Sequence, residues 1–231
     1  WPVTAEAENV ERRLALQERR AAELAARVER LLAPFRGDEH ALDAGCGTGA
    51  FAFALAPHVA DVVGIDRDER YVAAARERAP ANCRFVVGDL TALPFEWGEF
   101  DLSGCVRVLH HVRRPELVVA ELARVTRPGG RIVIADQLAS VDPVAAIEHD
   151  RFERARDPSH HRLLPDTDIR SLLDVNDLVV IENEIVVERR DVDDYLALAG
   201  VPDGERDRLR RIAPAGSAAV EIGWYVARKR G

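Results

Sequence analysis

Ala41-Leu42-Asp43-Ala44-Gly45-Cys46-Gly47-Thr48-Gly49-Ala50 is the stretch from which the rest of the chain is read. It opens as a short apolar run and turns through three glycines. Phe51-Ala52-Phe53-Ala54-Leu55-Ala56 then follows with the composition of a helix. A strand, a glycine turn and a helix make a cofactor-binding corner. Glycine tolerates positive φ and lacks a Cβ, so a ligand can approach the backbone closely, and the N–H groups at the helix start favour an anionic group. The corner alone leaves its ligand open. Gly45-x-Gly47-x-x-Ala50 satisfies the loose nicotinamide or flavin fingerprint, and Gly45-x-Gly47-x-Gly49 behind Asp43 satisfies the turn that holds S-adenosylmethionine.

A second apolar run, Asp61-Val62-Val63-Gly64-Ile65-Asp66, ends on an acid 21 positions after Gly45. A doubly wound sheet places a carboxylate at that distance against ribose hydroxyls. Asp66 also suits the N-cap of the helix expected from Asp68 to Ala79. Further strands are expected at 82–89, 100–106 and 131–136, with a helix from Glu116 to Arg127 and a sharp turn at Pro128-Gly129-Gly130. Strands alternating with helices at this rhythm predict a parallel sheet covered on both faces, with ligands at the C-terminal strand edge.

Upstream, Thr4 to Pro34 reads as one amphipathic helix, with Val10, Leu14, Ala21, Leu24, Val28 and Leu31 near helical spacing. An outer helix packed on the sheet and a lid over a cofactor cleft both need this pattern. Downstream, helices are expected at 143–156, 165–174 and 203–212. A long or bulged strand is expected over 178–188, and a last strand over 220–227.

Composition narrows the function classes. The 231 residues are 47% hydrophobic and 31% charged, ordinary for a globular chain of one domain. No apolar run approaches the ~18 residues of a membrane span, and no signal-peptide pattern is read. The net charge of −8 argues against a nucleic-acid surface, and the arginines are interleaved with acids along helical stretches. Cys46, Cys83 and Cys105 have neither metal-site spacing nor a disulfide count, which predicts reduced thiols and a cytoplasmic protein. The sequence begins at Trp1 and contains no methionine.

Taken in order, six motifs carry a resemblance. They are Leu42-Asp43-Ala44-Gly45-Cys46-Gly47-Thr48-Gly49, Val63-Gly64-Ile65-Asp66, Gly88-Asp89-Leu90 with Leu93-Pro94-Phe95, Phe95 to Asp101, Leu109-His110-His111-Val112, and Glu121 with Arg124-Val125 and Arg127-Pro128-Gly129-Gly130. The chain resembles the class I S-adenosylmethionine-dependent methyltransferases, in particular the small-molecule branch related to the ubiquinone/menaquinone C-methyltransferases. The resemblance is strong from about His40 to Asp136 and weak beyond.

It implies a Rossmann-like α/β fold: a seven-stranded sheet, mostly parallel with an antiparallel last strand, and helices on both faces. It also implies one domain, with 1–36 as a helical lid, 37–137 as the cofactor-binding half and 138–231 as the substrate side. Gly45, Cys46, Gly47 and Gly49 would receive the amino-acid end of S-adenosylmethionine, with Asp43 shaping the turn. Asp66 would bind the ribose diol, Arg67 would lie along the adenine, and Asp89 with the Leu90 N–H would meet its edge. Relatives often carry an apolar residue in place of Arg67. The Cys105 carbonyl would lie near the methionine amino group. The implied reaction yields S-adenosylhomocysteine and a methylated small organic acceptor, with no nucleic-acid or membrane partner. A non-catalytic S-adenosylmethionine-binding protein and an NAD-dependent oxidoreductase are the alternatives. His110, His111, His149, His160, His161 and Asp136 are the titratable candidates for a general base, and none is singled out. No metal site is expected.

Overall fold

In the computed structural model, residues 3–214, 217 and 219–230 are described, with residues 3–9 as backbone only. The helices are α1 (Val3–Leu32), α2 (Ala50–Leu55), α3 (Glu69–Glu77), α4 (Pro115–Val125), α5 (Pro143–Arg156), α6 (Asp166–Asp174), α7 (Val192–Leu198) and α8 (Asp203–Ile212). The strands are β1 (His40–Ala44), β2 (Asp61–Asp66), β3 (Cys83–Val87), β4 (Phe100–Val106), β5 (Thr126–Gln137), β6 (Leu178–Arg189) and β7 (Ala219–Lys229).

The seven strands form one sheet in the order β3-β2-β1-β4-β5-β7-β6. The first five are parallel, and β7 runs antiparallel between β5 and β6. An all-parallel dinucleotide-binding sheet would continue in the order 3-2-1-4-5-6. The antiparallel β7 is thus the departure expected over 220–227.

Side chains alternate across a pleated sheet, and here each alternation feeds a different core. Leu42, Ile132, Ile134 and Tyr225 point to the face covered by α4 and α6, where Val118, Leu122, Ile169 and Leu173 meet them. Ala41, Val133, Ala135 and Trp224 point to the other face, with Leu32 of α1 and Phe51 and Leu55 of α2. A third, smaller core joins α5, α7 and α8 through Phe152, Leu196, Val201 and Leu209. Burial on both faces explains why the central strands read as nearly continuous apolar runs.

Three details differ from the sequence reading. Pro128-Gly129-Gly130 does not precede β5 but lies inside it as a bulge. Thr126 pairs with Phe100 and Arg131 with Leu102, so the intervening residues are squeezed out of the ladder. α7 was not expected; Asp191 caps it by accepting from the N–H groups of Asp193 and Asp194. A single 3-10 turn, Leu109–His111, also follows β4. The alternative of one bulged strand over 178–188 holds, with the register slipping between Val180 and Glu182. None of the described helices is long and apolar enough to cross a membrane.

Candidate functional site

The site lies where β1, β2, β3, β4 and β5 end along one edge of the sheet. Parallel pairing sets Ala44 beside Ile65, Asp66 beside Val87 and Cys105 beside Ile134. Residues that follow these strands are therefore brought together.

The glycine turn is pinned from below by β2. The N–H groups of Gly45 and Cys46 both donate to the Ile65 carbonyl, at 2.7 and 3.0 Å. Gly45, Gly47 and Gly49 all take positive φ, and Gly49 is the N-cap residue of α2 in the left-handed conformation. A Cβ at Gly45 would stand 2.4 Å from Val108 Cγ2, so the turn and the loop after β4 touch because this residue has no side chain. A Cβ at Gly47 would meet nothing within 4 Å, so the turn opens on clear space. Asp43 is buried beneath it and accepts from the Ala52 N–H at 3.0 Å. Burial pushes its carboxyl up to about 7, against the Ala52 hydrogen bond and with the Asp66 charge adding to the rise.

Asp66 ties two turns together. One oxygen accepts from the Gly47 N–H at 2.9 Å and the other from the Asp68 N–H at 3.0 Å. It is not the helix cap: Asp68 caps α3 by accepting from the Arg70 N–H. The Asp66 carboxylate is half-buried, and each oxygen has a second lone pair for a ligand. The Gly88 N–H donates to the Asp66 carbonyl at 2.9 Å and brings Asp89 alongside. Asp89 is exposed and accepts from the N–H and the hydroxyl of Thr91 through one oxygen, both at 2.8 Å. Those bonds, with Arg67 nearby, hold its carboxyl below the usual range. Arg67 is exposed, and Leu90 packs half-buried against the core.

Of the three thiols, Cys105 and Cys46 are buried, and burial pushes both far up. Cys83 is half-buried and rises to about 11 for the same reason. A nucleophilic cysteine needs a depressed value, so these are packing groups.

The histidines separate sharply. His110 Nδ1 pairs with Asp136 Oδ1, and the His110 N–H donates to Asp136 Oδ2 at 3.1 Å. His111 bonds to the Ser159 hydroxyl at 2.9 Å, and burial drives it down to about 3. His160 turns inward and bonds Asp150 at 2.9 Å, whereas its neighbour His161 is exposed. His149 stands apart, 3.4 Å from the buried Glu153. Among the described residues no group of three or more His, Cys, Asp or Glu is arranged to hold a metal.

Two features of the site escaped the sequence reading. Gln17 on α1 accepts from the Thr48 hydroxyl at 2.6 Å, so α1 reaches the glycine turn itself. Farther along, α1 is tied to β6 by Arg20 to Glu188 at 3.1 Å and Arg30 to Glu184 at 2.7 Å, and Arg13 lies over the Tyr71 ring of α3. Glu188 also pairs with Arg107, which follows β4 in a left-handed conformation. No spacing signals these bridges, because each joins elements distant in the chain. A cleft of about 470 Å³ lined by His40, Asp61, Asn82 and Arg84 lies at the opposite edge, where the strands begin, and holds none of the site residues.

A parallel five-strand core closed by an antiparallel seventh strand, with a glycine turn after β1 and a carboxylate after β2, is the Rossmann-like fold of the class I methyltransferases. Residues 42–134 match the family described as methyltransferase domain. The chain is 35% identical over 131 residues to a Bacillus subtilis protein named uncharacterized methyltransferase YcgJ, covering 55% of this chain and 52% of that one. It is 41% identical over 101 residues to the demethylmenaquinone methyltransferase of Beutenbergia cavernae, covering 44% and 42%. The chain thus spans about half the length, or less, of these curated relatives. The crystal structure of the B. subtilis YcgJ protein superposes with a TM-score of 0.80 at 24% identity, over 90% of this chain and 98% of that one. That likeness carries the fold.

Proposed function

We propose that this protein transfers the methyl group of S-adenosylmethionine to a small organic acceptor by in-line displacement. The observation that carries the reading is Asp66: its half-buried carboxylate braces the open Gly47 turn through one hydrogen bond and has acceptor capacity left over. The residues fit the cofactor. The turn Gly45–Gly49 takes its amino-acid end, Asp66 the ribose diol, and Asp89 with Leu90 the adenine edge, with Arg67 alongside. The Cys105 carbonyl, at the end of β4, takes the amino group. Bound there, the cofactor supplies an already activated sulfonium methyl. The protein's own part is to align the acceptor, which is worth up to roughly 7–11 kcal/mol, and to exclude water. The first half of α1, joined to the glycine turn through Gln17 and to α3 through Arg13, serves as the lid. The names of the quinone-pathway relatives favour a ring-bearing acceptor.

Transfer of labelled methyl from S-adenosylmethionine to a panel of phenols, amines, thiols and carbon acids tests this. Label in at least one acceptor class is the expected result. Cofactor binding with no transfer to any class would instead support a binding protein.

A further inference from the structure

We propose that His110 is the catalytic base of this site, that Asp136 positions it, and that the acceptor is a neutral molecule bearing a weakly acidic hydroxyl of the phenol or enol class. This rests on the methyl-transfer reading above.

Asp136 is 2% exposed and is the last residue but one of β5, at the site edge. It accepts from the N–H groups of His110 and Gln137 and from the His110 ring. Burial alone would raise its carboxyl, but the paired His110 and these hydrogen bonds outweigh it and hold it below the usual range. A buried carboxylate on Nδ1 keeps the proton on that nitrogen and leaves the lone pair on Nε2. Nε2 has no partner among the described residues and is not one of their buried unpaired atoms, and the ring keeps 14% exposure. The placement is also right. His110 follows Val108 by two residues, and Val108 lies against Gly45.

The surrounding groups narrow the choice. The His111 ring lies 4.1 Å from that of His110, but it is engaged by Ser159 and neutral. The His160 ring is 5.7 Å away and engaged by Asp150. Arg107, on the same loop, is taken up by Glu188. His161, whose N–H donates to the His110 carbonyl at 2.8 Å, is exposed and has no carboxylate on its ring among the described residues. Of the three rings grouped here, His110, His111 and His160, that of His110 is the one left with an unengaged lone pair and a carboxylate behind it to stabilise the proton it gains. That suits a neutral acceptor better than a carboxylate or phosphate.

The chemistry then selects the acceptor. A neutral amine attacks through its own lone pair and sheds its proton afterwards. A phenolic or enolic oxygen is a poor nucleophile until its proton leaves. In the step proposed here the acceptor oxygen bonds the methyl carbon as the carbon–sulfur bond breaks. The electron pair of that bond stays on sulfur, giving S-adenosylhomocysteine, and the hydroxyl proton moves to His110 Nε2.

The test uses protein saturated with S-adenosylhomocysteine and the chromogenic phenol 4-nitrocatechol as probe, so no turnover is needed. The wild type should convert the bound probe to its coloured phenolate at a pH where the free probe is protonated. In H110Q the ionised fraction should fall at least tenfold with S-adenosylhomocysteine affinity unchanged. D136N should weaken the ionisation, and the nitrogen resonances of His110 should change from one tautomer to a mixture, which a merely structural role would not produce. Absence of phenolate in the wild type, or equal phenolate in H110Q, would overturn the proposal while S-adenosylhomocysteine still binds. Failure of the wild type to bind S-adenosylhomocysteine would strike the methyltransferase reading itself.

Discussion

Asp66→Ala is expected to weaken S-adenosylhomocysteine binding roughly 10- to 100-fold, corresponding to the ~1.5–3 kcal/mol of hydrogen bonds to a charged group. Two effects add. On the proposed assignment the ribose hydroxyls lose their acceptor, and the Gly47 N–H loses the carboxylate oxygen that it meets at 2.9 Å. Asp66→Asn retains one carbonyl oxygen in place of two carboxylate oxygens, so its loss should fall between that of the alanine variant and none. Because Asp66 is half-buried and Asp68 caps α3, neither variant should unfold the protein. Calorimetric titration beside a thermal melt separates the two. Unchanged affinity in Asp66→Ala would remove the ribose assignment.

Glu153→Ala is expected to have the larger effect on stability, costing about 3–5 kcal/mol, because it leaves buried cations without their counter-charge. Glu153 is 1% exposed. It accepts from Arg156 at 2.8 Å, Arg190 at 3.0 Å and the Tyr195 hydroxyl at 2.8 Å. Both guanidiniums also stack on the Tyr195 ring, at 3.9 and 3.5 Å from its centre. Burial alone would raise the Glu153 carboxyl. The hydrogen bond with His149, the two arginines and Tyr195 outweigh it and hold the group far below its ordinary range. A carboxyl depressed in the folded state contributes its full stability above its unfolded value, near 4.3, and loses it progressively as pH falls below that. Urea unfolding should therefore show a constant gap between wild type and variant from pH 7 to about 5. The gap should narrow below about pH 4. A gap under 1 kcal/mol at pH 7 would contradict the role of Glu153 as the counter-charge that holds α5 to the Arg190–Tyr195 segment.

These two residues also mark what could be read from the chain. Asp66 was legible because a β-strand ending in an acid at a fixed distance from a glycine turn reflects local geometry. So was β7, whose alternating Ile222, Trp224 and Val226 against Tyr225 and Ala227 suit a strand with both faces covered. Glu153 was not legible. In α5 it sits among Glu148, Arg151, Arg154 and Arg156, a pattern that periodicity assigns to a solvated face. Only the packing of α7 and α8 against that helix buries it, and α7 is a seven-residue helix too short to announce itself. His160 and His161 are alike in sequence, and what sends one inward is the Asp150 carboxylate ten residues earlier. The reach of α1 was equally hidden. Its pattern fits an outer helix or a lid, and the structure shows that it packs with Val28 and Leu32 while touching the glycine turn through Gln17.

The central claim is that the corner after β1 receives S-adenosylmethionine and not a dinucleotide. Calorimetric titration of the full chain with S-adenosylhomocysteine and, in parallel, with NAD tests it most directly. Saturable one-to-one binding of S-adenosylhomocysteine and no binding of NAD is the predicted result. Binding of NAD with none of S-adenosylhomocysteine would contradict it.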